Sequence, residues 1–204
     1  MPRERCNHCG RPPSVCLCPH LVSVQAPCRV VILQHPSEQK QALATVPILQ
    51  MCLSPIEVLV GEDFSQLPIV SECLSRPDSC RVIFPSEQSE AWQSGQPVTD
   101  TEHIKTLIFI DGTWRKAKRI WHMNPWLSQL PSVRLEGQEA SQYTIRSSRV
   151  QGSVSTLEAV ALACELLDGS DQYSRLMKPF QAMIDMQIQR MGQAVFLSHY
   201  QKDD

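Results

Sequence analysis

Thr106-Leu107-Ile108-Phe109-Ile110-Asp111-Gly112-Thr113-Trp114-Arg115-Lys116-Ala117-Lys118-Arg119-Ile120-Trp121-His122-Met123 is the stretch on which the fold turns. Its first five residues read as the most hydrophobic strand of the chain. Asp, Gly and Thr interrupt the apolar run, and from Trp114 the spacing becomes helical. Trp114, Ala117 and Trp121 fall on one stripe at intervals of three and four, while Arg115, Lys118, Arg119 and His122 fall on another. Strand, short turn and amphipathic helix in that order is the repeating unit of a parallel α/β sheet.

The same alternation extends on both sides. Strands are expected at 28–33, 56–60, 81–84 and 133–135, from β-branched and apolar runs. Helices are expected at 39–53 despite Pro47, at 85–92 behind Pro85, at 159–167 and at 173–191. Ser155-Thr156-Leu157-Glu158 has the capping-box pattern that starts a helix. The expected fold is therefore α/β, a mainly parallel sheet with helices on both faces. No internal repeat or low-complexity tract competes with it.

Composition supports one ordinary domain with a small appendage. The chain has 204 residues and 23.0 kDa, 42% hydrophobic and 20% charged residues, and a mean hydropathy of −0.20. No apolar run approaches the roughly 20 residues of a membrane span, and the N-terminus lacks a secretory h-region. Nine cysteines, five of them scattered, suit a reducing cytoplasm better than a disulfide scaffold. Net charge is −2, but it is unevenly spread: residues 54–104 hold nine acids against two bases, and residues 111–149 hold seven bases against three acids. A local basic face on an acidic chain suits selective contact with a polyanion.

Residues 1–22 form the appendage and 23–204 the α/β body. Cys6-Asn7-His8-Cys9 and Cys16-Leu17-Cys18 place four thiols in two close pairs with Gly10 and prolines between, the spacing of a tetrahedral zinc knuckle. So short a segment has no core, and a metal would supply its folding energy. A redox Cys-x-x-Cys, two disulfides or free thiols are the alternatives. Nothing apolar precedes Cys6, as a redox motif would require. His8 and His20 are spare ligands to a site that four cysteines already close.

Ligands of open α/β sheets bind beyond the carboxyl ends of the strands. Two such ends carry chemistry: Gln34-His35-Pro36-Ser37-Glu38 and Asp111-Gly112-Thr113-Trp114. The plain account makes Asp111 or Thr113 a helix cap and Trp114 a core aromatic. The functional account sets a carboxylate beside the basic ridge Arg115, Lys118, Arg119 and His122, with Arg149 and His35 as further RNA contacts. Tyr143, Ile145 and Arg146 lead to the helix start at Ser155 and Thr156, a natural receptor for a carboxylate or other anion. The glycine fingerprint of dinucleotide sites, the P-loop and Gly-x-Ser-x-Gly are all absent.

Together these segments resemble the DTW-domain family of tRNA-uridine aminocarboxypropyltransferases. The resemblance rests on Asp111-Gly112-Thr113-Trp114, the Cys6, Cys9, Cys16, Cys18 knuckles, Gln34 to Glu38, Tyr143-x-Ile145-Arg146 and Ser155 to Ala159, in register across nearly the whole chain. The chain departs from the family pattern in lacking a Pro near Arg149 and an Arg near Gln41. The resemblance implies a SPOUT-like, knotted core that binds S-adenosylmethionine in C-terminal loops. It implies transfer of the 3-amino-3-carboxypropyl group to N3 of a tRNA uridine, in the variable loop for bacterial members, with methylthioadenosine leaving. Asp111 would be the base, Thr113 its orienting neighbour and Trp114 a stacking or packing aromatic. An aspartate doing this must be partly buried, because an exposed one is too weak a base. Backbone around Ile110, Leu130 and Pro131 would hold the adenosine part of the donor, and Gly112, Tyr143 and Ile145 would also contact the donor. Arg146, Ser155 and Thr156 would receive its methionine carboxylate. Arg3, Arg5 and Arg11 near the knuckle would touch tRNA or brace the body. The rival readings are a methyltransferase of the same fold and a non-catalytic zinc-ribbon RNA-binding module. The state of association, monomer or dimer, is open.

Overall fold

The computed structural model describes residues 4–41, 43–96, 98–136 and 155–192. Tyr143, Ile145, Arg146, Arg149 and Arg3 lie outside them. Six strands, β1 (Val24–Gln34), β2 (Leu53–Val60), β3 (Cys80–Ile83), β4 (Glu90–Gln93), β5 (Thr106–Asp111) and β6 (Ser132–Glu136), form one sheet in the order β2-β1-β5-β3-β6-β4. Every pairing is parallel. β5 lies between β1 and β3, so the body of the strand is shielded on both edges and both faces. Its apolar run follows from that position: Leu107 and Ile108 are fully buried.

Among the described residues five α-helices cover the sheet: α1 (Val46–Cys52), α2 (Pro68–Ser75), α3 (Trp114–Met123), α4 (Thr156–Asp168) and α5 (Met177–Met191). Alternate strand residues choose the face. Val30, Ile32, Leu107 and Phe109 pack with α1, α4 and α5, whereas Val31, Leu33, Val82 and Ile108 pack with α2 and α3. Helices therefore lie on both faces, as the alternation of strand and helix signals requires. α4 starts where the capping box places it. Glu158 N–H donates to Ser155 Oγ at 3.2 Å, Ser155 N–H donates to Glu158 Oε2 at 2.7 Å, and Gly169 at φ +70° ends the helix.

Three local expectations change. Residues 85–92 do not form a helix: β4 occupies Glu90–Gln93 and adds an edge strand to β6. The two apolar residues there, Ala91 and Trp92, are adjacent, so no helical stripe exists, whereas a strand buries Trp92 and leaves its neighbours out. The expected helix at 39–53 shrinks to α1, and Pro47 sits in its first turn, where its missing N–H costs nothing. A separate 3-10 turn spans Pro36–Lys40. α2 was not expected, although Pro68 at its start and Ile69 and Cys73 four apart carry its signal. The last helix opens as a 3-10 turn at Asp171–Leu176 before α5. Among the described residues no helix is long and apolar enough to cross a membrane.

Candidate functional site

Asp111 is the last residue of β5 and is 8% exposed. Gln34 is its register partner at the end of β1, and both of its carboxylate oxygens are held. Gln34 Nε2 donates to Oδ2 at 2.9 Å, and the Thr156 hydroxyl, from the first turn of α4, donates to Oδ1 at 2.5 Å. The backbone N–H of His35 also donates to the Asp111 carbonyl at 3.0 Å. Both of these side-chain partners are neutral, so among the described residues the carboxylate is fixed in orientation by uncharged groups. Three separate chain segments thus meet on one acid at the carboxyl edge of the sheet.

Gly112 lets the next helix approach. A Cβ there would lie 3.0 Å from Lys116 Cβ, tighter than side chains usually sit, and 3.6 Å from His35 Cβ, an ordinary contact. α3 then buries Ala117 and Ile120 against the sheet, while Arg115, Lys118, Arg119 and His122 are exposed as one outward ridge. Thr113 is exposed at the N-cap and makes no side-chain cap bond. Trp114 does not enter the core; it is 36% exposed and lies 6.2 Å from Phe84, ring centre to ring centre, at a tilt of 56°. Phe84 stacks on Trp121 at 4.7 Å and 16°. The expected packing stripe is therefore carried by Ala117 and Ile120, and the two tryptophans flank the Phe84 ring.

Acids that local pattern could not assign complete the site. Glu62 accepts from Arg119 at 2.8 Å and from His35 Nε2 at 2.8 Å; Glu38 accepts from Lys116 at 2.7 Å. His35 Nδ1 accepts from the Ser37 N–H at 3.2 Å, which puts the ring proton on Nε2, toward Glu62. The buried Asn124 fixes Glu62 in turn. Its amide donates to the Glu62 carbonyl at 2.7 Å and to Ile120 O at 2.8 Å, and its oxygen accepts from Phe64 N–H at 2.7 Å. No short-range signal reveals that Asn124 holds the segment of Glu62 and Phe64, because those partners lie about sixty residues from it.

The residues expected around the donor separate. Ile110, Gly112 and Thr156 adjoin Asp111, but Ser155 spends its hydroxyl and its N–H on the capping box. Leu130 is buried, and the Pro131 carbonyl accepts from Val82 N–H at 2.9 Å. Val82 pairs with Ile108 on one side and Ser132 on the other. Pro131 is thus level with Leu107, about 13 Å along the strand from Asp111.

At the opposite end of the chain, Cys6, Cys9, Cys16 and Cys18 bring their sulfurs within 4.8 Å of one another. Cys6 and Cys18 sulfurs are 3.5 Å apart, and Cys9 and Cys16 sulfurs 3.7 Å. A tetrahedral metal with bonds of about 2.3 Å separates its sulfurs by about 3.8 Å, so the set fits one ion. Gly10 at φ +68° makes the first knuckle turn, with its N–H on the Cys6 carbonyl at 2.9 Å. The backbone amides of Cys9 and His8 hold the Cys6 thiol at about 6, and the Cys6 sulfur helps push Cys18 up to about 12. Sulfurs this close repel when ionised, and a cation at their centre balances the charge. Leu17, between two ligands, is fully buried in the core beneath α5.

Fold and site define a parallel α/β protein with its polar chemistry on the carboxyl edge of the sheet and a metal-type knuckle docked on one flank. The DTW domain family profile matches residues 3–188. A protein of Mus musculus called tRNA-uridine aminocarboxypropyltransferase 2 is 33% identical over 207 residues, 97% of this chain and 68% of the relative. The namesake in Drosophila melanogaster is 33% identical over 201 residues, 91% of this chain and 76% of the relative. In Macaca fascicularis the identity is 33% over 94% of this chain and 66% of the relative. The chain thus spans about two thirds of the length of the mouse and macaque proteins. No solved structure matches it. The chain belongs to the DTW domain family.

Proposed function

We propose that this chain transfers the 3-amino-3-carboxypropyl group of S-adenosylmethionine to N3 of a tRNA uridine, in the variable loop, and releases methylthioadenosine. The observation that carries the reading is the Asp111 carboxylate, gripped on both oxygens at a strand end beside an exposed basic ridge, in a family whose relatives bear that name. When bound, S-adenosylmethionine supplies a γ-carbon activated by its sulfonium. A bond from uridine N3 to that carbon forms, the carbon–sulfur bond breaks, and its electron pair stays on sulfur.

The chain's own residues supply the rest. Asp111 takes the N3 proton, turning a weak nucleophile into an anion. Gln34 and Thr156 aim its carboxylate, and Trp114 offers an exposed ring face to a base. Gly112 and Ile110 border the site. Arg115, Lys118, Arg119 and His122 meet phosphates, with His35 held behind them. Arg146, Tyr143, Ile145 and Arg149 keep the roles that the resemblance implies for them, and Thr113 stands free at the helix start. Zinc is the ion that four thiolates of this spacing favour, so Cys6, Cys9, Cys16 and Cys18 hold it and brace the 1–22 knuckle against the 23–204 catalytic unit.

Incubation with labelled S-adenosylmethionine and bulk tRNA, followed by nucleoside mass analysis, tests the reading. The expected products are aminocarboxypropyl-uridine and methylthioadenosine. Methylated nucleoside with S-adenosylhomocysteine would overturn it in favour of methyl transfer, and unmodified tRNA would leave only RNA binding.

A further inference from the structure

The Asp111 side chain sits in a residue only 8% exposed, and both of its oxygens accept from neutral donors, the Gln34 amide and the Thr156 hydroxyl. An aspartate buried this deeply is ordinarily paired with a cation. Among the described residues no cation is paired with it. Three basic side chains around the carboxyl edge are committed elsewhere: Lys116 to Glu38 at 2.7 Å, and Arg119 and His35 to Glu62 at 2.8 Å each. The remaining bases of the ridge stand on α3, on the other face of the sheet. Asp111 alternates with Ile110 and so follows Leu107 and Phe109 toward α4, whereas Ala117 and Ile120 of α3 pack with Val31, Leu33 and Ile108.

The start of α4 contributes the same sign. The Ser155 N–H, a group that a bound anion would use, already donates to the Glu158 carboxylate at 2.7 Å, and Ser155 Oγ accepts from the Glu158 N–H at 3.2 Å. Thr156 spends its one hydroxyl proton on Asp111, so toward a ligand that oxygen only accepts. Gln34 is locked in its turn: its carbonyl accepts from the Gly61 N–H at 3.0 Å, and its side chain is buried. A negative charge without a counter-ion, held rigidly at a strand end and sheltered from water, attracts a cation far more strongly than an exposed carboxylate does.

We propose that Asp111 is the counter-charge of the donor's sulfonium, and that it selects charged S-adenosylmethionine over neutral thioethers before any base arrives. This binding role is added to the proton-accepting one, and it rests on the transfer reading for the identity of the donor. Charge balances throughout. With the donor bound, one carboxylate faces one sulfonium. As the bond from N3 to the γ-carbon forms, the carbon–sulfur bond breaks and its electron pair leaves sulfur neutral, while the N3 proton neutralises the carboxylate. The sheltered site is thus neutral before and after transfer, and no buried charge is left without a partner. Methylthioadenosine carries no charge on sulfur, so the attraction that held the donor is absent from the product.

The test is equilibrium dialysis of full-length, metal-replete protein, without tRNA, against S-adenosylmethionine and S-adenosylhomocysteine. The two ligands share the amino acid part and differ in the sulfonium methyl and its charge. Wild type is expected to favour S-adenosylmethionine by roughly 10–100-fold. Asp111→Asn keeps the shape and removes the charge, so it should lose that preference while binding S-adenosylhomocysteine as wild type does. Gln34→Lys reaches the same end by another route, setting an ammonium against the carboxylate, and should also abolish the preference. A wild type without preference, or a preference that survives in Asp111→Asn, overturns the proposal. An equal loss on both ligands in Asp111→Asn overturns it too, because that marks a carboxylate holding the amino group. Should Asp111→Asn misfold, Gln34→Lys decides alone by the same criterion. The transfer reading is scored separately, on wild type with bulk tRNA. An Asp111-dependent preference with unmodified tRNA keeps the counter-charge and removes the transfer; aminocarboxypropyl-uridine made by a protein without the preference does the reverse.

Discussion

Asp111→Asn separates a chemical role for the strand-end acid from a structural one. The asparagine side chain keeps the shape and one acceptor oxygen, so either the Gln34 amide or the Thr156 hydroxyl keeps its bond. The other partner now faces an NH2 group, and Thr156 can rotate its hydroxyl to accept from it. A charge-assisted hydrogen bond contributes about 1.5–3 kcal/mol and a neutral one about 1 kcal/mol, which over the two bonds leaves a net loss of about 1–4 kcal/mol. For a chain of this size each kcal/mol lowers Tm by about 2–4 °C, and a fold of roughly 5–15 kcal/mol stays predominantly populated. Removing a general base costs about 10²–10⁴ in kcat, or about 3–5 kcal/mol at 1.36 kcal/mol per decade. The two effects are therefore separable in one sample. Methylthioadenosine release over bulk tRNA reads the first, and a thermal melt reads the second. A variant that melts several degrees lower yet keeps a kcat within about threefold of wild type would show that Asp111 clamps β1, β5 and α4 together and moves no proton.

Glu62→Gln keeps an acceptor for His35 but releases Arg119, so tRNA affinity and its salt slope should rise, the slope by about one; anisotropy over a salt titration checks this, and an unchanged slope counts against the ridge. Cys9→Ser should lose the bound metal, read by elemental analysis, and expose Leu17 from beneath α5, lowering Tm; one ion per chain with normal melting would refute the assignment. Gly112→Ala must push Lys116 aside and should cost about 1–3 kcal/mol, measured by urea denaturation; an unchanged midpoint would mean that the turn relaxes freely. Burial pushes the Cys28 thiol from 9.0 up to about 12. The unfolded chain therefore releases a proton that the folded chain holds, and its contribution to stability is complete below pH 9 and declines by up to about 1.4 kcal/mol per unit as pH rises toward 12. Cys28→Ala should remove that part of the alkaline slope in denaturation curves taken across this range.

Most of the parallel sheet was legible because its inner strands are apolar runs and α4 announces its start with the capping box at Ser155. The knuckle was legible because all four ligands are close in sequence. Where the sequence misled, one local cue spoke alone. Pro85 suggested a helix start, yet Ala91 and Trp92 had a partner in β6 that only the sheet order reveals. Asp111 could be singled out from the strand that ends at it, but its two partners could not, since Gln34 and Thr156 lie 77 and 45 residues away. The same distance problem hid Glu62, which reaches α3 from the loop after β2, and its pairing with Asn124 at the end of α3. The hydroxyls at the start of α4 looked equivalent in sequence, and the structure divides their labour: Ser155 caps its own helix, and Thr156 reaches the carboxylate.

Charge placement explains how an acidic chain can hold a polyanion selectively. The acid-rich stretch 54–104 sends Glu62 to Arg119, and Glu38 reaches Lys116, so two of the cations near Asp111 already have partners. The two pairs differ in depth. Arg119 has a side chain 62% exposed and Glu62 one 28% exposed, and an ion pair so open to water contributes about 0–1 kcal/mol. A phosphate can replace Glu62 there at little net cost, provided that it arrives in the right place. Glu38 has a side chain only 9% exposed, and withdrawing Lys116 would leave a buried carboxylate without its counter-charge, a cost of about 3–5 kcal/mol. Lys116 is therefore fixed in the scaffold, close to the position that Gly112 leaves open, and it does not compete for RNA. Among the described residues Arg115, Lys118 and His122 have no ion pair. On the proposed reading, Arg115 and Lys118 set how tightly the ridge holds a strand, and selectivity comes from which strands can displace Glu62 from Arg119 while a base reaches Asp111.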